Sequence, residues 1–168
     1  HDKTGDSESL SMVQSTLNHM ANGGIYDQLG GGFHRYSTDE YWLVPHFEKM
    51  LYDNALLSRV YIHAYQLTKN PSYADIAVDI IDYVLREMTD PQGGFYSSQD
   101  ADSDGEEGKY FVWAYDEIDS LLTEHDAEVI KQYFGITEIG NFEGCNILNK
   151  PCDDYTLAHE IGLSVEEL

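Results

Sequence analysis

Residues 25–54, IYDQLGGGFHRYSTDEYWLVPHFEKMLYDN, place two histidines, an arginine, several carboxylates and a cluster of aromatic rings close together in the chain. His34 and Arg35 follow Gly30, Gly31 and Gly32, which let the backbone turn tightly or approach a ligand. His46, Glu48 and Asp53 come next. Imidazoles beside a guanidinium suit general acid–base work: His34 or His46 would move the proton, and Arg35 would steady developing negative charge. Carboxylates suit a different reaction. Glu48 or Asp53 paired with Asp100 or Asp102 would serve glycoside hydrolysis, at about 5 Å for retention and about 6.5–9.5 Å for inversion. Each group also has a structural reading. Glu48 beside Lys49 can be a surface pair or complement a helix N-terminus. Asp53 can bond a neighbouring loop, and His19, His63 and His159 read as ordinary surface or core histidines. The glycine run is not a phosphate-binding loop, because no strand–loop–helix unit surrounds it.

A second acidic stretch is SSQDADSDGEEGKYFVW, residues 97–113. Laid on the calcium-hand pattern, Asp100, Asp102 and Asp104 fill positions 1, 3 and 5, and Gly105 fills position 6. Position 12 needs a bidentate Glu and holds Phe111, and the flanks read as strands. The calcium-hand assignment fails there, although an irregular oxygen shell of three or four acids stays open. Asp104, Glu106 and Glu107 read as a solvated hairpin tip. Asp100 and Asp102 lie nearer the GGFY strand and are expected to face a cleft. No metal or cofactor is called for by any other spacing.

The rings Tyr26, Phe33, Tyr36, Tyr41, Trp42, Tyr96 and Trp113 can wall a pocket with apolar faces and polar tips, or simply fill a core. Beside carboxylates and histidines, such a wall suits a sugar-like small molecule.

These residues must be held by helices. Residues 7–21 carry Leu10, Val13, Leu17 and Met20 on one face and close at NGG. Residues 46–68 carry two apolar stripes, one through Phe47, Met50, Leu51, Leu57, Tyr61 and Ala64, the other through Leu56, Val60 and Leu67. A helix apolar on two sides is buried on two sides. On that helix His46, Met50 and Asp53 would share a face, and Glu48 and Tyr52 another. Residues 71–89 are one-sided, with Asn70 as cap, Pro71 at the first position and Asp90-Pro91 as the stop. Short helices are expected at 116–122 and 125–134. Alternation of a buried with a one-sided helix is the pattern of an inner and an outer helical layer. A repeat supports it: QLGGGFHRYST (28–38) and PQGGFYSSQDA (91–101) each follow a helix and each carry Gly-Gly-Phe. Hairpins are expected from 32–36 with 41–44, and from 94–98 with 109–113.

The chain has 168 residues, 42% of them hydrophobic, and a net charge of −22 from 31 acids and 9 bases. That acidity argues against nucleic acid and anionic membranes as partners, because phosphate binding needs clustered Lys and Arg. Solubility or a salty habitat is its simplest meaning. Cys145 and Cys152 do not form a CxxC pair and are expected as free thiols of a reducing cytoplasm. No apolar run approaches the roughly 20 residues of a membrane span. The opening HDKTGDSES resembles neither a signal peptide nor a natural start, and Ser164 with Glu167 reads as a capping box at the other end. The chain is therefore expected to be a piece of a longer protein.

Three stretches carry a resemblance: GGIYDQLGGGFHRYSTDEYWLVPHFEKMLYDNA, GGFYSSQDADSDGEEGKYFVW and FGITEIGNFEGCNIL. They closely resemble the thioredoxin-domain-containing family that includes the spermatogenesis-associated proteins, over most of residues 10–150. The resemblance implies a thioredoxin-like domain followed by a helical domain of the six-hairpin (α/α) toroid type, similar to N-acylglucosamine 2-epimerases and glycosidases. On that basis the fold is mainly α, a partial toroid with short β-hairpin insertions. Residues 1–168 are then its N-terminal portion, and the thioredoxin-like part is absent. Fold resemblance alone does not set function. The expectations are a sugar epimerase or isomerase, a glycosidase, or a binding scaffold whose chemistry lies in the thioredoxin-like part. A toroid cut short also exposes the second stripe of residues 46–68, so self-association of this piece is expected.

Overall fold

The computed structural model describes residues 5–168; the first four residues of the HDKTGDSES stretch lie outside it. The described chain is mainly helical, with small two-stranded antiparallel sheets between the helices. Helix α1, Ser7–Asn22, starts where the Asp6 side chain accepts the Glu8 N–H, and ends as the Gly23 N–H bonds the His19 carbonyl at 2.9 Å. Helices α2, Leu51–Thr68, and α3, Pro71–Glu87, form a hairpin closed by Lys69 in the left-handed region. Asn70 caps α3 with Pro71 in its first turn, as the sequence predicts. Leu17 of α1, Tyr61 and Ala64 of α2, and Tyr73, Ala77 and Ile80 of α3 close one core over Ile25, Tyr26 and Phe33. The Tyr61 hydroxyl reaches the Leu17 carbonyl at 2.8 Å, so its polar tip is satisfied inside that core. Helices α4, Tyr115–Leu121, and α5, Glu124–Tyr133, build a second core with Ile136 and Leu148. Helix α6, Asp154–Ile161, follows.

The helix expected from residue 46 begins five residues later. Residues 45–50 are extended instead. Strand β1, Tyr36–Ser37, pairs with β2, Pro45–His46, and β3, Lys49–Met50, pairs with β4, Ser98–Gln99. Between the ladders the Arg35 N–H bonds the Glu48 carbonyl at 2.8 Å. With those backbone groups committed sideways, the segment cannot make helical bonds. Its side chains alternate: Pro45, Phe47 and Lys49 are buried, while His46, Glu48 and Met50 are half-buried. The helical pairing of His46 with Asp53 and of Glu48 with Tyr52 is replaced by a strand that sends 46 and 48 one way and 47 and 49 the other.

The first expected hairpin forms slightly displaced, as β1 with β2, but the second exchanges partners. Residues 94–98 and 109–113 do not pair with each other. Strand β4 pairs with β3, and β7, Val112–Trp113, pairs with β8, Asn146–Ile147. The acidic loop makes its own hairpin from β5, Asp102–Ser103, and β6, Glu106–Glu107. Asp104 and Gly105 at its tip both have positive φ, as an Asp-Gly type I′ turn requires.

The Gly-Gly-Phe repeat is a repeat in three dimensions. The Asp27 N–H bonds the Gly32 carbonyl and the Gly31 N–H bonds the Asp27 carbonyl; Asp90 makes the same two bonds with Gly94 and Gly93. All four glycines sit at positive φ. Phe33 and Phe95 each make an isolated bridge back to the segment before the turn. Yet Phe33 is fully buried and Phe95 is exposed.

Among the described residues only one stripe of α2 is covered. Tyr52, Leu56, Val60 and Leu67 are exposed, spaced at helical period along the opposite side. Leu56→Lys is therefore expected to change stability by no more than about 0.5 kcal/mol. If the stripe drives self-association, the concentration dependence of the sedimentation coefficient should fall in that variant.

Candidate functional site

The extended segment 45–50 separates two groups of polar side chains. On one side four sequence-predicted residues come together: Arg35, His46, Glu48 and Asp53. Arg35 Nη1 lies 3.0 Å from Glu48 Oε2, and His46 Nε2 lies 3.7 Å from the same oxygen. His46 Nδ1 meets Glu107 Oε1 at 2.6 Å. A carboxylate only accepts, so Nδ1 carries the hydrogen and Nε2 keeps its lone pair when the ring is neutral. Tyr36 stacks on the His46 ring at 5.1 Å. Asp53 stands in the first turn of α2, and its Oδ2 is buried with no hydrogen-bond partner among the described residues. Burial pushes its carboxyl above the ordinary aspartate value. Arg35 and Tyr52 pull the other way, and Glu48 adds to the push. Tyr36 and Tyr52, both half exposed, flank the group.

The other side faces a cavity of about 480 Å³. Of the predicted residues, His34, Tyr26 and Trp113 line it. Its floor is buried: His34, Phe47 and Lys49 are nearly inaccessible, whereas Leu29 and Tyr110 at its rim are exposed. Lys49 Nζ is held by Asp27 Oδ2 at 2.7 Å, by the Gly31 carbonyl at 2.9 Å and over the Tyr83 ring at 4.3 Å. Burial lowers the Lys49 ammonium below its ordinary value against the charge of Asp27. Burial would raise the Asp27 carboxyl, but the Lys49 charge and bond hold it below the ordinary value. His34 Nδ1 donates to the Phe47 carbonyl at 2.8 Å, which leaves Nε2 as a bare acceptor. Burial and the neighbouring Lys49 charge push His34 down to about 3, so it is neutral at neutral pH.

The Asp27–Lys49 pair carries a pH dependence with a definite sign. Because the folded carboxyl titrates below the ordinary value of 3.8, its stabilisation is fully present above that value. It is lost as pH falls through the folded value. Acid unfolding followed by circular dichroism should therefore steepen below about pH 4, and Asp27→Asn should remove that part of the slope.

The remaining predicted residues lie elsewhere. Asp100 and Asp102 are exposed on the acidic loop and line neither group; the Asp100 carboxylate accepts the Asp102 N–H at 3.1 Å. The cleft-facing expectation for them is replaced by a loop-bracing role. Glu107, read as solvated, is the acid that reaches His46. Phe33 and Trp42 pack into the helical core, and Tyr96 bonds Asp90 at 2.7 Å beside the second Gly-Gly-Phe turn. Among the described residues no group of three or more His, Cys, Asp or Glu is placed to hold a metal ion. No helix among them is long and apolar enough to cross a membrane. Cys145 and Cys152 are free thiols. Sequence reasoning missed Asp27, Lys49, Tyr83 and Gln99. The signal for Lys49 was the alternation of PHFEKM, hidden by the helical spacing of Phe47, Met50 and Leu51.

No family model matches the chain. It is similar to spermatogenesis-associated protein 20 of Mus musculus, 45% identical over 150 residues, covering 80% of this chain and 19% of that protein. The Homo sapiens protein of the same name is 41% identical over 185 residues, covering 95% of this chain and 24% of that protein. An uncharacterized protein of Caenorhabditis elegans is 35% identical over 186 residues, covering 96% of this chain and 25% of that protein. The chain thus spans about a fifth to a quarter of the length of the curated relatives it matches.

Proposed function

We propose that this chain, a homologue of spermatogenesis-associated protein 20 over most of its length, carries an acid–base site for a sugar-like ligand, epimerase or isomerase in type. The site is the Arg35, His46, Glu48, Asp53 and Glu107 face, and the α2–α3 hairpin is an opening hairpin of an (α/α) toroid. The observation that carries the reading is Asp53 Oδ2, a carboxylate oxygen buried without a partner among the described residues, beside Arg35, Glu48 and Tyr52. A buried acceptor left open is costly unless a ligand hydroxyl supplies its bond. Rings beside carboxylates match the faces and hydroxyls of a sugar.

In this reading His46 Nε2 takes the proton from the carbon next to the ligand carbonyl. The electron pair of that C–H bond moves onto the carbonyl oxygen, where Arg35 stabilises the enediolate. Asp53, whose carboxyl burial raises above its ordinary value, is the group assigned to return a proton in this proposal. Glu107 fixes the His46 ring. The scaffold reading rests on one observation: Glu48 is already engaged by Arg35 at 3.0 Å, so the face can bind without reacting. A glycosidase pairing with Asp100 or Asp102 has less support, because those acids lie on the exposed loop.

The test is incorporation of solvent deuterium into a panel of aldoses, ketoses and 2-acetamido sugars, followed by NMR with the full-length protein. His46→Gln and Arg35→Met are expected to lower the exchange rate by about 100-fold. Ligand-induced line broadening without deuterium uptake would favour the scaffold. Neither broadening nor uptake would end the sugar reading.

A further inference from the structure

The cavity on the opposite side of segment 45–50 plays no part in that chemistry. Its floor is unusual in holding two different kinds of polar group. Lys49 is saturated: a carboxylate, a carbonyl and a ring face occupy its three hydrogens. Tyr83 donates to Gln99 at 2.7 Å and Tyr26 to Asp79 at 2.9 Å, so the tyrosine hydroxyl hydrogens are also spent. His34 is different. Its Nδ1 is committed to the Phe47 carbonyl, and no donor among the described residues stands at Nε2 although the side chain is only 3% exposed. Phe111 meets the imidazole edge-on at 4.7 Å and stacks with Phe47 at 5.9 Å. Trp113 and Tyr110 complete an aromatic wall that rises to the rim.

We infer that this cavity is a second binding site, which takes a small neutral ring compound bearing one O–H or N–H donor, with that donor given to His34 Nε2. The aromatic walls supply stacking for a flat ring, and about 480 Å³ is room for one or two rings. A cationic ligand is disfavoured by the Lys49 ammonium on the floor. The other charged lining groups, Arg86 and Glu87, pair with each other at 2.8 Å, and Arg86 also donates to the Gly30 carbonyl. An anion's donor-less oxygens would therefore meet a bare acceptor and the Asp27 carboxylate, with no free cation among the described lining residues to offset them. A neutral donor satisfies the open imidazole nitrogen, and it meets an imidazole whose neutral state is enforced by its surroundings.

The experiment compares phenol with anisole, which has a similar ring but no donor, in titrations of the 168-residue chain read by calorimetry and by the His34 imidazole resonances. Phenol is expected to bind about tenfold more tightly, the worth of one well-made hydrogen bond to a buried group. His34→Asn keeps a donor toward the Phe47 carbonyl and removes the Nε2 acceptor; it should erase the preference. Should that variant melt early, Tyr110→Ala at the exposed rim is the second test. It should weaken both compounds while the phenol preference stays. Equal affinity for the two compounds, binding that leaves the His34 resonances unmoved, or no binding of either overturns the assignment. Sugar-dependent deuterium uptake reports on the other face, so the two proposals fail separately.

Discussion

Replacing Lys49 with methionine is expected to lower folding stability by about 3–5 kcal/mol, read as a shift in the urea midpoint at unchanged slope. Methionine keeps most of the buried stem, so the loss is electrostatic and not a cavity effect. What it leaves behind is an Asp27 carboxylate only 15% exposed at its side chain and a Gly31 carbonyl without its partner. The Asp27 Oδ1 still accepts the Leu29 and Gly30 N–H groups at 3.1 and 2.8 Å, which keeps the penalty from running higher. Asp27→Asn in the same chain removes the uncompensated charge and retains that Oδ1 acceptor. The double variant should therefore recover part of the loss. This non-additivity distinguishes a buried pair from two independent sites. A single-variant cost under about 1 kcal/mol would mean that water reaches the pair and that the cavity floor is wetter than its burial implies. Because Lys49 faces away from His46 and Asp53, the per-molecule deuterium exchange proposed for the other face should survive in the folded fraction of this variant.

Local signals sufficed where one short segment decides its own structure. The period of Tyr73, Ala77 and Ile80, with Asn70 and Pro71 before it, placed α3 within two residues of its observed end. Asp104 reads as part of a hairpin tip, and it sits in the turn of the β5–β6 hairpin. The misplaced elements are those settled by partners far along the chain. Residues 46–50 fit a helical stripe through Phe47, Met50 and Leu51 as well as they fit a strand. The strand prevails because Ser98 and Gln99, nearly fifty residues away, complete its ladder. That single change moved His34 and Lys49 to one side and His46 and Glu48 to the other, dividing one expected site into two. Glu107 carried no local mark at all. Its role exists only because its own two-residue hairpin brings it to His46 across sixty-one positions.

Asn54→Ala is the other substitution with a large expected effect, about 3 kcal/mol. Asn54 is fully buried on α2. Its Oδ1 accepts the Phe33 N–H at 2.7 Å, and its Nδ2 donates to the Phe33 and Met50 carbonyls, each at 3.0 Å. The side chain thus holds both backbone polar groups of the residue that ends the Gly31-Gly32 turn. Alanine would strand the Phe33 N–H where water cannot follow. Asn54→Asp should be at least as damaging, since it retains the acceptor but sets carboxylate oxygen against two carbonyls. The second Gly-Gly-Phe turn supplies the control within the same molecule. Gly93 and Gly94 adopt the same left-handed backbone and Asp90 makes the same turn bonds, but Phe95 is 57% exposed and no buried amide holds it. Phe95→Ala is expected to cost no more than about 0.5 kcal/mol. If thermal melts of the two variants differed by that margin, the stabilisation would lie in the clamp from α2 and not in the turn. Segment 33–36, which carries His34 toward the cavity and Arg35 toward the polar face, would then be held in place chiefly by one asparagine. Nearly equal losses from Asn54→Ala and Phe95→Ala would instead assign that positioning to the glycine turns themselves.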